Sequence, residues 1–303
     1  MTFIKEIAQT FLKAINAFIE DNGFQYSAAV SFYTLFSLAP IVMISVYTAG
    51  IFVGNASVMK ELTEFLNETV GSSSAEAVML LVQTIQTDSS NVLYLIISIG
   101  FLVISATTVF VQFKDSFNRI FMMVTKPDVG FLKTILDRAI AFGMIVLLGV
   151  ALIASLILDT ILVALFDLLS SQFEAVNLIM ASVGSNIITM VMIFVAILLM
   201  FYILPDVYVR WKALIYGSLV TTILLILGKF GVGMVIGNSP LNQLSGASSS
   251  IIILMLWVYY SCIIIFFGIE LVKALGEKGD REIKAGKYAR RIKMVDFFPN
   301  IKE

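Results

Sequence analysis

No Asp, Glu, Lys or Arg lies between Asp21 and Lys60, and five more stretches almost as bare follow along the chain. A helix rises about 1.5 Å per residue and the hydrocarbon layer is roughly 30 Å thick, so about 20 mainly apolar residues suffice to cross it. The bare stretches predict crossings at about 28–53, 90–113, 139–158, 182–204, 213–236 and 251–270, with Lys229 and the terminal Glu270 the charges inside them. Over 303 residues, 59% are hydrophobic and 14% charged. Soluble domains carry about 25% charge, so too few polar side chains exist here to cover a water-facing surface. The expectation is an all-α integral membrane protein with six transmembrane helices. A soluble globule, a disordered chain and a basic nucleic-acid-binding domain are excluded on this ground. The single cysteine, Cys262, leaves no disulfide framework and no Cys-based zinc site.

Charge sets the orientation. Of the 20 Lys and Arg residues, 18 fall before the first crossing, in the second and fourth connections and after the last crossing, against 2 toward the other side, Lys60 and Lys229. Cytoplasmic loops carry the excess, so both termini are expected in the cytoplasm. Residues 2–20 place Phe3, Ile4, Ile7, Phe11, Leu12, Ile15, Phe18 and Ile19 at helical spacing among charges, which predicts an amphipathic interfacial helix. A secretory signal peptide competes, but its apolar core would not be interrupted by charge. An outer helical loop is expected over 57–87, with two amphipathic stretches (57–70 and 75–87) parted by Gly71-Ser72-Ser73-Ser74. Residues 158–170 read as an outward continuation of the third crossing or an interfacial helix. The division is then one membrane domain, 1–275, and a basic cytoplasmic tail, 276–303.

The first crossing carries Ser27, Ser31, Thr34, Ser37, Ser45 and Thr48 at mostly three- and four-residue steps, with Pro40 near its middle. The second carries Ser98, Ser105, Thr108, Gln112, Asp115 and Arg119 on one side. Two readings stand. Small hydroxyl residues let helices approach and bond to one another. Alternatively they line a cavity opening inward, with Gln25, Tyr26, Tyr33, Gln112 and Asn118. Pro40 removes a backbone hydrogen bond and so predicts a kink, either to fit neighbours or as a functional break. Asp159, Asp206, Lys229 and Glu270 each fall near an end of a crossing, so no Asp, Glu or Lys is expected at the midplane, where a charge costs roughly 2.5–3.5 kcal/mol.

Histidine is absent. That removes Ser-His-Asp arrangements, HExxH sites and most general-base chemistry at neutral pH. The run Gly228-Lys229-Phe230-Gly231-Val232-Gly233 lacks the GxxxxGK[ST] order of a phosphate loop and reads as a packing or helix-end feature. A pair of outer carboxylates, such as Asp159 with Asp167, is the residual hydrolase reading against plain solvated surface. No enzyme, catalytic residue, cofactor or metal site is expected.

Four segments carry a resemblance. Residues 22–40 (NGFQYSAAVSFYTLFSLAP) resemble the first-crossing signature of the YihY/BrkB family of bacterial inner-membrane proteins, roughly AAALAYYxLLSLxP. Residues 114–120 (KDSFNRI) are similar to the segment after its second crossing. Leu204-Pro205-Asp206 with Trp211 and Gly217 is similar to its L-P-[ND] element and the W-x-x-x-x-x-G that follows. Residues 245–275 (SGASSSIIILMLWVYYSCIIIFFGIELVKAL) resemble its final crossing, with W-x-Y-Y-S and G-x-E-L elements. Val30 stands where the family often has Leu, and Gly268-Ile269-Glu270 replaces its usual Gly-Ala-Glu. The resemblance implies a six-helix protein of the bacterial inner (cytoplasmic) membrane, linked to virulence and serum resistance. It makes envelope lipid or lipopolysaccharide-precursor transport a candidate activity. An older ribonuclease label also travels with the family. The residues here argue against it, because there is no histidine, no acidic metal cluster and no cytoplasmic domain able to hold RNA.

The functional expectation is a transporter or flippase-like protein for an amphiphilic, anionic envelope molecule, with membrane lipids as its surroundings and no nucleic-acid partner. A lipid keeps its tails in hydrocarbon, so only its headgroup needs a polar track. Gln25, Tyr26, Ser31, Tyr33, Thr34, Ser37, Pro40, Thr108 and Gln112 are the candidate path, with Lys114, Arg119, Arg210 and Lys212 as cations at its inner mouth. Asp115, Asn118 and Arg119 with Asp206 and Glu270 form the candidate gate or headgroup site. The same five residues read equally as an ion-pair cluster tying crossings 2, 4 and 6 together. The basic tail reads as a topology signal or as an anchor on anionic headgroups. The alternative function is a non-transporting scaffold in envelope assembly. A monomer and a homo-oligomer are both open.

Overall fold

The computed structural model describes residues 2–70, 92–170, 177–237, 247–277 and 283–292, with single residues at 72, 75, 76 and 79. The second amphipathic stretch expected in the first outer loop, 75–87, therefore lies outside the described residues except at 75, 76 and 79, and the ends of the basic tail lie outside them too. Eight long helices account for most of what is described: α1 (Thr2–Glu20), α2 (Gly23–Val53), α3 (Asn55–Val70), α4 (Val92–Ile120), α5 (Gly130–Ser170), α6 (Asn177–Ile203), α7 (Trp211–Gly237) and α8 (Ala247–Gly276). Each expected crossing falls on one of the last five or on α2. The 158–170 segment is the unbroken continuation of α5, and Pro40 sits buried inside α2.

Among the described residues, Gly130–Ala151, Trp211–Lys229 and Ile251–Gly276 are long and apolar enough to cross a membrane, and Ile187–Ile203 is a shorter apolar helix. Large apolar side chains face outward on these helices, including Phe142, Val150, Leu219, Leu227 and Ile252. A water-soluble protein would bury such a set; surrounding hydrocarbon removes the need.

α2 packs against α4, α5 and α8, α8 also packs against α1 and α7, and α6 bridges α5 and α7. The core is knotted by rings. Phe266 of α8 stacks on Phe113 of α4 at 5.6 Å and meets Phe117 edge-on at 5.6 Å, while Phe117 meets Phe201 of α6 edge-on at 5.8 Å. Such pairs add about 0.5–1.5 kcal/mol each beyond the area they bury. α7 and α8 approach more closely because glycine leaves room: Gly217 faces Val272 and Gly268 faces Thr221, in each case where a Cβ would collide. The W-x-x-x-x-x-G and G-x-E-L elements thus meet as two halves of one helix contact. In the Gly228–Gly233 run, which is helical, Gly228 faces Tyr260.

α1 does more than lie along a surface. Its Ala14 and Phe18 are buried, its Phe11 ring lies 5.3 Å from Phe267 of α8, and Leu12, Ile15 and Ile19 stay exposed. One face grips the bundle and another offers apolar side chains outward. The turn into α2 uses Asn22 in the left-handed region, φ 60°, a conformation Asn tolerates at a helix end.

The chain is not helical throughout. Two antiparallel strand pairs cover the end of the bundle where α4 and α6 finish and α5 and α7 begin. β1 (Met123–Thr125) pairs with β4 (Ala289–Arg291), setting Met123 opposite Arg291. β2 (Val207–Tyr208) pairs with β3 (Lys284–Ala285), setting Tyr208 opposite Lys284. Residues 283–292, expected as part of a plain basic tail, are instead folded back and clasped to two inter-helix connections. Periods of two residues are too short to show in a sequence of this kind, and the partners lie far away along the chain.

Candidate functional site

Two helices each present a pair of polar side chains four residues apart, the spacing that puts them on one face. α4 presents Lys114 and Asn118; the first turns of α5 present Lys133 and Asp137. Between them comes Asp206, on the short link that follows α6. Lys114 Nζ lies 2.9 Å from Asp206 Oδ1 and 3.1 Å from Asp137 Oδ1. Lys133 Nζ lies 2.9 Å from Asp206 Oδ1 and 2.8 Å from Asp137 Oδ1. Two ammonium groups and two carboxylates thus alternate around a closed, neutral square. Both lysines are only 3% exposed, against 14–15% for the aspartates. Asn118 completes it from both sides: its Nδ2 donates to Asp206 Oδ2 at 3.2 Å, and the Asp206 backbone N–H donates to its Oδ1 at 2.7 Å.

Desolvating four charges is costly, and attraction recovers that cost only when geometry is good and leftover hydrogen-bonding positions are filled. Both conditions hold at Asp206. Burial alone would push its carboxyl up, but the charges and hydrogen bonds of Lys114 and Lys133 outweigh burial and hold it below the usual carboxylate range.

The strand layer seals the square. Gly286 N–H donates to the Asp206 carbonyl oxygen at 2.7 Å, and a side chain at position 286 would meet that same carbonyl. Tyr288 lays its ring over Lys133 with 5.4 Å from Nζ to the ring centre, and Lys126 Nζ donates to the Lys287 carbonyl at 2.9 Å. Beyond the square, Arg138 of α5 reaches across to α4. Its Nη1 donates to the Ile104 carbonyl at 2.9 Å, to Thr107 Oγ1 at 2.9 Å and to Thr108 Oγ1 at 3.0 Å.

A second charged group is separate. Glu270 of α8 is 1% exposed and lies 3.6 Å from Lys273, whose Nζ donates to Asp21 at the α1–α2 turn at 2.6 Å. Glu270 therefore does not join Asp206, and the expected five-residue gate is corrected on this point. Asn118 and Asp206 meet; Asp115 and Arg119 occupy exposed positions on α4, with Asp115 in electrostatic reach of Asp137, Lys114 and Asp206; Glu270 belongs to the α1–α8 contact. The helices tied by the square are α4 and α5 with the link after α6, rather than crossings 2, 4 and 6.

The expected path along α2 is also redistributed. Ser31 Oγ donates to the Ala28 carbonyl and Thr34 Oγ1 to the Val30 carbonyl within the same helix, while Ser37 Oγ donates across to the Ser105 carbonyl of α4 at 2.6 Å. Tyr26 is half-buried with its ring 6.0 Å from Phe266. Gln25 and Tyr33 are exposed, Gln112 is half-buried, and Thr108 is engaged by Arg138. Arg210 is exposed beside the strand layer. The Asp159–Asp167 pair of the hydrolase reading falls where side chains are outside the described set. Lys133 and Arg138 entered the sequence reading only among the loop cations that orient the chain, and Asp137 did not enter it. The signal that could have singled them out was the four-residue step from Lys133 to Asp137, matched to that from Lys114 to Asn118.

The profile of the family described as virulence factor BrkB matches residues 14–293. The chain belongs to that family. Its BrkB relatives include a UPF0761 membrane protein of Pseudoalteromonas translucida, 23% identical over 90% of this chain and 88% of the relative. Another, from Photobacterium profundum, is 25% identical over 94% of this chain and 87% of the relative. A third, from Stenotrophomonas maltophilia (strain K279a), is 23% identical over 85% of this chain, and the match spans 58% of that longer protein. No solved structure matches. Within the BrkB frame, Asn118, Asp206, Trp211, Gly217 and Gly268 all lie in the family-like segments, and the structure gives each a contact.

Proposed function

We propose that this BrkB-family membrane protein moves an amphiphilic, anionic envelope molecule, a lipid or lipid-linked precursor, across or along the bacterial inner membrane. In this reading the chain crosses six times with both termini and the strand layer in the cytoplasm. The supporting observation is the polar column that starts at the Asp206 square and continues to Arg138, held on the carbonyl and hydroxyls of Ile104, Thr107 and Thr108 inside the α4–α5 contact. Arg138 stands one residue before the expected third crossing, 139–158, at its cytoplasmic edge. A cation at that boundary is within reach of lipid headgroups, and its bonds to α4 hold it there. Guanidinium is also the group best suited to a phosphate headgroup. The neutral square is then the closed inner gate: an incoming anion competes with Asp206 and Asp137 for Lys114 and Lys133.

A non-transporting scaffold is the second reading. One observation favours it: Ser31, Thr34 and Ser37 use their hydroxyls on helix backbones. Purified protein in liposomes, with headgroup accessibility of a labelled anionic lipid as readout, separates the two. Transport requires a rate above that of empty vesicles, lowered by Arg138→Ala. A rate equal to empty vesicles leaves the scaffold.

A further inference from the structure

Two strand ladders that meet at an angle leave a space between them, and its walls are set by their register. Met123 and Arg291, opposite one another in the β1–β4 ladder, form one wall; Tyr208 and Lys284, opposite one another in the β2–β3 ladder, form the other. Ile283 and Ala285 line its apolar side, and Arg210 closes it from the start of α7, giving a cleft of about 610 Å³. Clefts that hold small ligands run to roughly 300–1,000 Å³. Among the described residues that line this one, three are cationic and none is a carboxylate. Elsewhere at this end of the bundle, Lys114 and Lys133 are each matched to a carboxylate. Among the described residues neither Arg210 nor Lys284 has such a match, and both stand beside Tyr208, an exposed tyrosine able to donate a hydrogen bond.

We propose that this cleft binds a phosphate-bearing anion, with Arg210 and Lys284 as principal contacts. Guanidinium takes two phosphate oxygens at once and ammonium adds a point charge. The Met123, Ile283 and Ala285 side accommodates the apolar part of an esterified phosphate better than a bare ion. Its surroundings place it at the membrane boundary: Trp211, next to Arg210, stacks on Tyr202 at 4.7 Å with both rings exposed, as interfacial aromatics do. A phospholipid headgroup and a soluble phosphate ester share this chemistry. The inference draws on the transport reading only for the membrane side on which the cleft lies, and its test contains no transport step.

Full-length protein with Trp257→Phe keeps Trp211 as its one tryptophan. In one arm, nanodiscs carry brominated phosphatidylglycerol or brominated phosphatidylcholine at equal fraction, and quenching of Trp211 is compared. In the other, glycerol 3-phosphate is titrated into phosphatidylcholine nanodiscs and the unfolding temperature followed. Stronger quenching by the anionic lipid assigns the site to a headgroup; a rise in unfolding temperature assigns it to a soluble ester. In either case R210Q/K284Q should weaken the response about tenfold or more, and R210K/K284R should keep most of it. No response in either arm overturns the proposal. So does a response that survives R210Q/K284Q, or one that R210K/K284R also abolishes. A liposome assay without lipid movement would leave these results standing, so the two failures are distinguishable.

Discussion

The ring of Tyr288 covers the ammonium of Lys133, with 5.4 Å between Nζ and the ring centre. A residue on the returning tail thus caps a charge at the start of α5, and the lysine it caps also bonds both aspartates of the square. Tail and square form one unit, so perturbing either should be felt by the other.

Removing one member of the square should be costly. Asp206→Asn leaves two lysines facing one carboxylate in a poorly solvated site, and such a loss costs about 3–5 kcal/mol. Unfolding of the detergent-solubilised protein should shift to clearly lower temperature. Adding Lys133→Met restores neutrality, and the double variant should recover part of the loss, as a double-mutant cycle would read out.

Acid should act through the same carboxylate. Because Asp206 is held below its ordinary value, its contribution to stability is complete above the unfolded-state value of about 3.9. That contribution is lost as pH falls from there through the depressed folded value. Wild-type stability should therefore fall over that acidic range, and the slope should be smaller in Asp206→Asn. Equal slopes would show that Asp206 is not the group responsible.

Gly286→Val places a side chain against the Asp206 carbonyl. The strap should detach, and trypsin should cut after Lys284 and Lys287 faster than in wild type. Unchanged digestion would mean that the strands tolerate the intrusion.

Gly268→Leu inserts bulk where α8 meets Thr221. Overpacking of this kind costs typically about 1–3 kcal/mol, to be read as a lowered unfolding temperature. Thr221→Ala in the same chain should return part of it.

Cys262 is buried among the core residues, which favours a labelling map. In a Cys262→Ser background, Asn67→Cys should react with an impermeant thiol reagent from the periplasmic side alone, and Lys284→Cys from the cytoplasmic side alone. Reaction of both from one side would remove the six-crossing arrangement.

Helices were easy to read because their cause is local. The bare stretches that predict α2 and α4 through α8 need no partner to be seen, and α1 announces itself by the spacing of Phe11, Phe18 and their neighbours. The site was half legible. Asn118 and Asp206 stood out because both sit in segments with a family resemblance. Lys133, Asp137 and Arg138 did not, because their distant partners become neighbours only once folded: Asp206 for Lys133, Lys114 for Asp137 and the 104–108 turn for Arg138. Glu270 was misplaced for the converse reason: lying near the same end of the bundle as Asp206, it was grouped with it, whereas its charged neighbour is Lys273, one turn along α8, which itself bonds Asp21. The hydroxyls of α2 look alike in sequence whether they face a path or a neighbour, and Ser37 decides only by meeting Ser105.

The folded-back strands also impose an order on biogenesis. Translation delivers Lys114, Lys133, Asp137 and Asp206 long before Gly286 and Tyr288, so the nascent chain must hold its charge square open to water until residues 283–292 have left the ribosome. A stretch that emerges only after all eight described helices is thus the one that closes this end of the protein, and a polypeptide interrupted before it would insert those helices yet remain unlatched.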